Sequence, residues 1–288
     1  MTLRGFLAIG LVGLFIALAA TPEAEGQRRR GRGGGGGGGS SGGGGQATSN
    51  NPMSHQASRE VMERAGLFKT GLVPRYPKQA RCLEVASFFG DRTRYDGSQR
   101  VAWANHGRHG GFDISAPEGT PLLAIADGEV VHKHSGGRLV GHQIFLRHGP
   151  ADTGLRVWIY SKYKHFREPP ELAIGQRVRL GQVIGHSGKT GTVGGHYGEW
   201  GYPHLHLSLY VSDSGRYKTK PMMVVPAKVR HLDPLALYLP AGRRLTDNHA
   251  IQALSEAEKV VAIPYQTPDG RRLPADTRLI WPFMCEPG

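Results

Sequence analysis

His109-Gly110-Gly111-Phe112-Asp113 and, much further along, His204-Leu205-His206 bring together three imidazoles and a carboxylate, the side chains that bind first-row metals. A catalytic divalent zinc takes three protein ligands of these kinds and keeps a fourth position for water. The two stretches therefore supply a ligand set with one imidazole to spare, and the chemistry such a set supports is hydrolysis. In an extended strand, residues two apart share a face with roughly 6.6 Å of rise between them. His204 and His206 then enter one groove together, where one can hold metal while the other touches substrate. His109 and Asp113 are four apart outside any helical pattern, and Gly110-Gly111 permit the bend that brings both to one ion. The chain has no His-Glu-x-x-His pattern, so a glutamate base beside two helical histidines is not available.

Of the 14 histidines, those between His106 and His206 compete for these roles. His106 shares a loop with His109 but stands at the wrong spacing from Asp113. His132 and His134 form a second His-x-His with no carboxylate motif beside it, and are expected to face solvent. His148, next to Gly149, is expected to be structural, and His142, His186 and His196 are assigned no more than loop or rim positions.

The elements that must position the motifs are short strands. Pro121–Ala126, the Asp127-Gly128 turn and Glu129–His132 read as a tight hairpin. Gln143–Arg147, Leu155–Tyr160 and Leu205–Val211 repeat the strand pattern between glycine, serine or proline. No ten-residue helix separates them, which disfavours a parallel sheet and points to an antiparallel sheet with a groove. Ser54–Leu67 has the spacing of a short helix, with Gly66 near its end. Residues 53–99 form a flanking segment of this kind, followed by the strand-rich region 100–239. After His231-Leu232-Asp233-Pro234-Leu235 the strand signals stop. Residues 240–288 are an irregular extension with a possible helix start at Ser255–Glu258; no function is assigned to it, and it is free to wrap the domain with Cys285 as a pin.

The ends of the chain bound where it works. Arg4 followed by the apolar run Gly5–Ala20, with Ala17-Leu18-Ala19 offering small residues, reads as a signal peptide over residues 1–20. The alternative is an uncleaved anchor, but the run falls short of the roughly 20 residues that cross a bilayer. After cleavage no stable membrane insertion is expected, and the site of action is the periplasm, the cell envelope or the exterior. Residues 27–52 are glycine, serine and arginine with almost nothing apolar, hence a disordered linker. The formal charge of +13 favours anionic surroundings. Nucleic acid is excluded as the partner by the export signal and by the lack of stacking aromatics between Gln27 and Asn51. Cys82 and Cys285 either bridge the two flanks or are unrelated thiols; their number fits both.

Longer blocks of sequence surround the motifs. From His109 the chain reads HGGFDISAPEGTPLLAIADGEVV, and from Tyr202 it reads YPHLHLSLYV. Between them stand Tyr163-Lys164-His165, of Tyr-x-His form, and GQRVRLGQVIGHSGKTG from Gly175 to Gly191. These four ordered blocks resemble the lysostaphin or LytM-type zinc metalloendopeptidases, which cut peptide bridges and stems of bacterial peptidoglycan. The resemblance implies a mainly β fold with an antiparallel groove, built as a duplicated hybrid motif. It implies one zinc ion held by His109, Asp113 and His206, and a catalytic pair, His165 and His204. On that reading His204 activates water and His165 stabilises the tetrahedral intermediate, with the exchanged assignment left open. The substrate implied is peptidoglycan. The rival implied by the same family is a noncatalytic module that activates a cell-wall amidase. One departure is the long stretch Thr192–Tyr202, which either rims the groove and brings Glu199, Trp200 and Tyr202 to the substrate or is an exposed loop with no such role.

Overall fold

Aliphatic residues at every second position, Leu205, Leu207, Leu209 and Val211, make a half-buried strand of the segment after Pro203. In the computed structural model, which describes residues 49–138, 140–240 and 244–288, this is the strand His204–Ser212. The expected signal peptide, and the glycine-rich linker up to residue 48, lie outside the described residues. The four aliphatics are fully buried on one face, while His204, His206, Ser208 and Tyr210 occupy the other. Each buried aliphatic contributes roughly 1.5–3 kcal/mol, and a one-residue slip would carry all four to the wrong face. The burial that stabilises the strand therefore also fixes the direction of its two histidines.

Eight strands form the main sheet: β1 (Val85–Ser87), β2 (Phe112–Ser115), β3 (Gly128–His134), β4 (His142–His148), β5 (Trp158–Phe166), β6 (Arg177–Val178), β7 (His204–Ser212) and β8 (Arg230–Leu232). Their spatial order is β1-β2-β7-β5-β4-β3-β6, with β8 on the second half of β7, and every pairing is antiparallel. The fold is mainly β. One face of the sheet carries Phe112, Ile114, Ile144, Leu146, Ile159 and Tyr163 into the principal core. On the opposite face Phe145, Tyr160 and Tyr210 join Met53, Val224 and Val229 in a smaller apolar cluster at one end of a groove.

The flanks complete the core. Val73–Arg75 pairs in parallel with Val260–Ala262, and Ala80–Arg81 pairs with Glu286–Pro287. Next to that second pairing Cys82 and Cys285 are disulfide-bonded. Trp281 is fully buried, its ring 5.4 Å from Phe112 and its indole N–H donating to the Leu83 carbonyl at 2.9 Å.

Four local expectations need correction. Pro121–Leu123 pairs with Val183–His186 rather than folding back on β3. The intervening Ala124, Ile125 and Ala126 run through the core, where Ile125 donates its N–H to the Tyr163 hydroxyl, so the Asp127-Gly128 pair closes no hairpin. The helix is confined to Arg59–Arg64, capped by the Ser58 hydroxyl on the Val61 N–H. His132, expected to face solvent, is buried edge-on against Phe145, and in the tail the helix is Asn248–Gln252, with only a turn after Ser255.

Candidate metal centre and groove

Asp113 of β2 stands directly opposite His206 of β7 in the ladder, and Lys164 of β5 faces His206 from the other side. Opposed residues on one face have Cβ atoms roughly 4.5–5.5 Å apart, so strand pairing alone places Asp113 and His206 on one site. His109 arrives from the loop before β2. Its backbone N–H donates to the Asp91 carbonyl at 3.0 Å, and its own carbonyl accepts from Gly90 at 2.8 Å. Neither Gly110 nor Gly111 has a positive φ, so the bend expected there does not use left-handed backbone. Gly111 answers a different constraint: a Cβ would lie 2.2 Å from the Leu207 carbonyl oxygen of β7.

His109 Nε2, His206 Nδ1 and Asp113 Oδ1 converge. They lie 3.0 Å (His109–His206), 3.1 Å (His109–Asp113) and 2.8 Å (His206–Asp113) from one another. A tetrahedral zinc with bonds of roughly 2.0–2.1 Å has ligand atoms about 3.3 Å apart, so the triangle fits one face of such a site. Among the described residues this is the group of three that fits a metal ion. The second nitrogens are held as metal-binding imidazoles require: His109 Nδ1–H donates to the Phe88 carbonyl at 3.0 Å, and Ser208 Oγ lies 2.9 Å from His206 Nε2. Arg100, not singled out in the sequence, donates to Asp113 Oδ2 at 3.3 Å and to Ser87 Oγ at 2.7 Å, orienting the carboxylate.

Two more imidazoles border the cluster. His165 sits on a β-bulge: Gln143 pairs with Lys164 and His142 with Phe166, leaving His165 unopposed at φ 69°. As a result Lys164 and His165, consecutive in sequence, both line the groove, and Phe166 returns to the core. His165 Nδ1–H donates to the Thr190 carbonyl at 2.7 Å, and His204 Nδ1–H donates to the Tyr202 carbonyl at 2.8 Å. In the neutral state each therefore carries its lone pair on Nε2. The His165 ring lies 4.6 Å from that of His204 and 6.1 Å from that of His206. All five residues expected from the sequence share one cavity of about 330 Å³.

Protonation follows from the burial of the cluster. Burial alone raises the Asp113 carboxyl, but the imidazoles of His109 and His204 and hydrogen bonds from His109 and His206 outweigh it and hold the group well below the usual carboxylate range. Burial pushes His206 well down despite Asp113, and pushes His165 well down with help from the neighbouring Lys164 ammonium. His204 is lowered by burial as well, although Asp113 opposes the shift. An ionised Asp113 beside a neutral His206 is the state in which these two groups bind a divalent cation.

The long stretch Thr192–Tyr202 contributes Thr192, Gly195, His196 and Tyr197 to the cavity, not Glu199, Trp200 or Tyr202. Tyr202 lies behind the site, stacked on His204 at 4.9 Å and on Tyr95 at 4.4 Å, while Trp200 is 77% exposed. His148 is buried, its Nδ1–H donating to the Asp127 carbonyl at 2.7 Å.

Residues 107–220 match the family model described as Peptidase family M23. The peptidoglycan DD-endopeptidase ShyC of Vibrio cholerae is 36% identical over 138 residues, 48% of this chain and 24% of ShyC. The peptidoglycan DD-endopeptidase ShyA of the same organism is 32% identical over 137 residues, 48% of this chain and 27% of ShyA. The chain thus spans about a quarter of the length of these curated relatives. A solved catalytic domain of the antimicrobial peptidase lysostaphin from Staphylococcus simulans is 27% identical, covering 46% of this chain and 79% of that domain, with a TM-score of 0.33 that is too low to bear on the fold. The His109–Asp113 loop, Tyr163–His165 and His204–His206 all fall inside the segment that matches the model described as Peptidase family M23.

Proposed function

We propose that this protein is an exported zinc metalloendopeptidase that hydrolyses peptide bonds of peptidoglycan cross-links or stem peptides. The observation that carries the reading is the convergence of His109 Nε2, Asp113 Oδ1 and His206 Nδ1 beside two imidazoles that each present Nε2 to the same cavity. A bound zinc ion supplies Lewis acidity toward a carbonyl oxygen and brings the pKa of a water molecule down to about 7.

The chain's own groups then divide the proton work. His204 Nε2 lies 3.7 Å from Asp113 Oδ1, whose charge stabilises an imidazolium, so His204 takes the proton from the attacking water. It returns that proton to the departing amine nitrogen as the C–N bond breaks. His165 has the Lys164 ammonium beside it, which disfavours an imidazolium there, so its Nε2 accepts a hydrogen bond from water and orients it. Arg100 holds Asp113 in position throughout. The disulfide between Cys82 and Cys285 supports an oxidising compartment and hence export.

The test is incubation of purified protein with defined sacculi, with and without chelator, and identification of released fragments by mass. New peptide ends that vanish with chelator are expected. Intact sacculi together with stimulation of an added amidase would instead establish the noncatalytic module.

A further inference from the structure

We propose that Lys162 and Lys164 form a carboxylate-binding subsite on the groove floor, taking an ionised carboxylate that the substrate peptide carries one or two residues from the bond that is cut. The proposal rests on the peptidase reading above and names the substrate class it would prefer.

Lys162 and Lys164 are two apart on β5 and share a face. Lys164 opposes His206 across the ladder and Lys162 opposes Ser208, so the pair leads away from the metal cluster along the same cavity. Their separation of roughly 6.6 Å along the strand matches about two residues of extended peptide. Five cations line the cavity, Arg94, Arg100, Arg108, Lys162 and Lys164, against the single carboxylate of Asp113. Arg108 already pairs with Glu63 at 2.7 Å, and Arg100 with Asp113. Among the described residues neither lysine has a carboxylate within ion-pair distance, and the Lys162 ammonium rests only over the Phe145 ring, 5.5 Å from its centroid.

Two half-buried ammonium groups side by side, neither in an ion pair, are costly to the fold. Burial and the neighbouring Lys164 pull Lys162 down to about 7. A substrate carboxylate supplies the missing charge and opposes that shift. A peptide with a free carboxylate is then favoured, while a neutral glycine bridge leaves both lysines unpaired and is disfavoured.

The experiment uses the full chain carrying His204→Ala, loaded with zinc, and two synthetic stem peptides identical except that one has a free carboxylate and the other a carboxamide. Calorimetry is expected to show the carboxylate peptide bound roughly ten- to hundredfold more tightly. In the Lys162→Met/Lys164→Met background that ratio falls to about one; a Lys→Gln pair serves the same purpose should methionine perturb the floor. Equal affinities in the parent, or a preference that survives both double variants, overturn the subsite. With His204 intact, hydrolysis without carboxylate preference removes the subsite alone. Preferential binding with no hydrolysis of either peptide removes the peptidase reading and leaves the subsite standing.

Discussion

His165 and His204 differ from the three clustered ligand atoms in one testable respect: each reaches the cavity without being among them. His204→Ala and His165→Ala are therefore expected to keep one zinc per chain by elemental analysis while kcat/KM on a peptidoglycan fragment falls by about 10²- to 10⁴-fold. A variant that loses the metal would move its histidine into the ligand set. A second residue-scale effect lies at the far end of the groove. Burial pushes His231 down to about 4 from an ordinary 6.5, so between those values the unfolded chain binds the proton that the folded chain refuses. The stability due to neutral His231 is complete above pH 6.5 and is lost as pH falls toward 4, amounting to about 3 kcal/mol. His148, also buried and lowered, acts in the same direction. His231→Gln keeps a donor for the Pro52 carbonyl, which His231 Nε2–H reaches at 3.2 Å. It should make the urea midpoint less sensitive to pH across that window, and an unchanged slope would show that His231 is not responsible.

The β-bulge is the element on which the site's geometry turns. A non-glycine residue in the left-handed region costs roughly 1–2 kcal/mol, and His165 at φ 69° bears that cost where Lys164 and His165 are both turned to the groove. Within an ordinary strand glycine is less stable than alanine by roughly 0.5–1 kcal/mol; here the order should reverse. His165→Gly is expected to unfold at higher urea than His165→Ala, by about 1 kcal/mol, both lacking the imidazole. The opposite order would mean that the bulge is not maintained without histidine. This element also marks the limit of what the sequence makes legible. Leu205-x-Leu207-x-Leu209-x-Val211 displays its period, so the strand and the common face of His204 and His206 can be read directly. The bulge cannot, because it arises from a register shift between β4 and β5 that no single segment encodes. Arg100 is hidden for a similar reason: it reaches Asp113 from an irregular loop with no periodic neighbours. The false hairpin at Asp127-Gly128 shows the converse, a strong local turn signal overridden when Ile125 is taken into the core.

At the scale of the whole molecule, the two flanks close around the sheet. Residues 240–288, broken by Pro264, Pro268, Pro274 and Pro282, read as an irregular extension, yet Leu279, Trp281, Phe283 and Cys285, at every second position, lie in the principal core. Trp281 packs on Phe112, whose chain neighbour is Asp113, so the tail supports the strand that carries a proposed metal ligand. The disulfide joins residues 203 apart in sequence and so closes a long loop of the unfolded chain. Cys82→Ser/Cys285→Ser should lower the free energy of unfolding by about 3–5 kcal/mol while leaving a cooperative transition and bound zinc, because the paired strands Ala80–Arg81 and Glu286–Pro287 still hold the ends together. Ending the chain after Leu239 is a harsher change. It removes the fully buried Trp281 and Phe283, and a cavity of that size costs roughly 3–5 kcal/mol for each aromatic lost. Since a domain of this size holds only about 5–15 kcal/mol in total, the truncated protein is expected to show no cooperative melt and no stoichiometric zinc. A truncated chain that melts cooperatively with one zinc bound would show that the tail merely covers a domain able to fold without it.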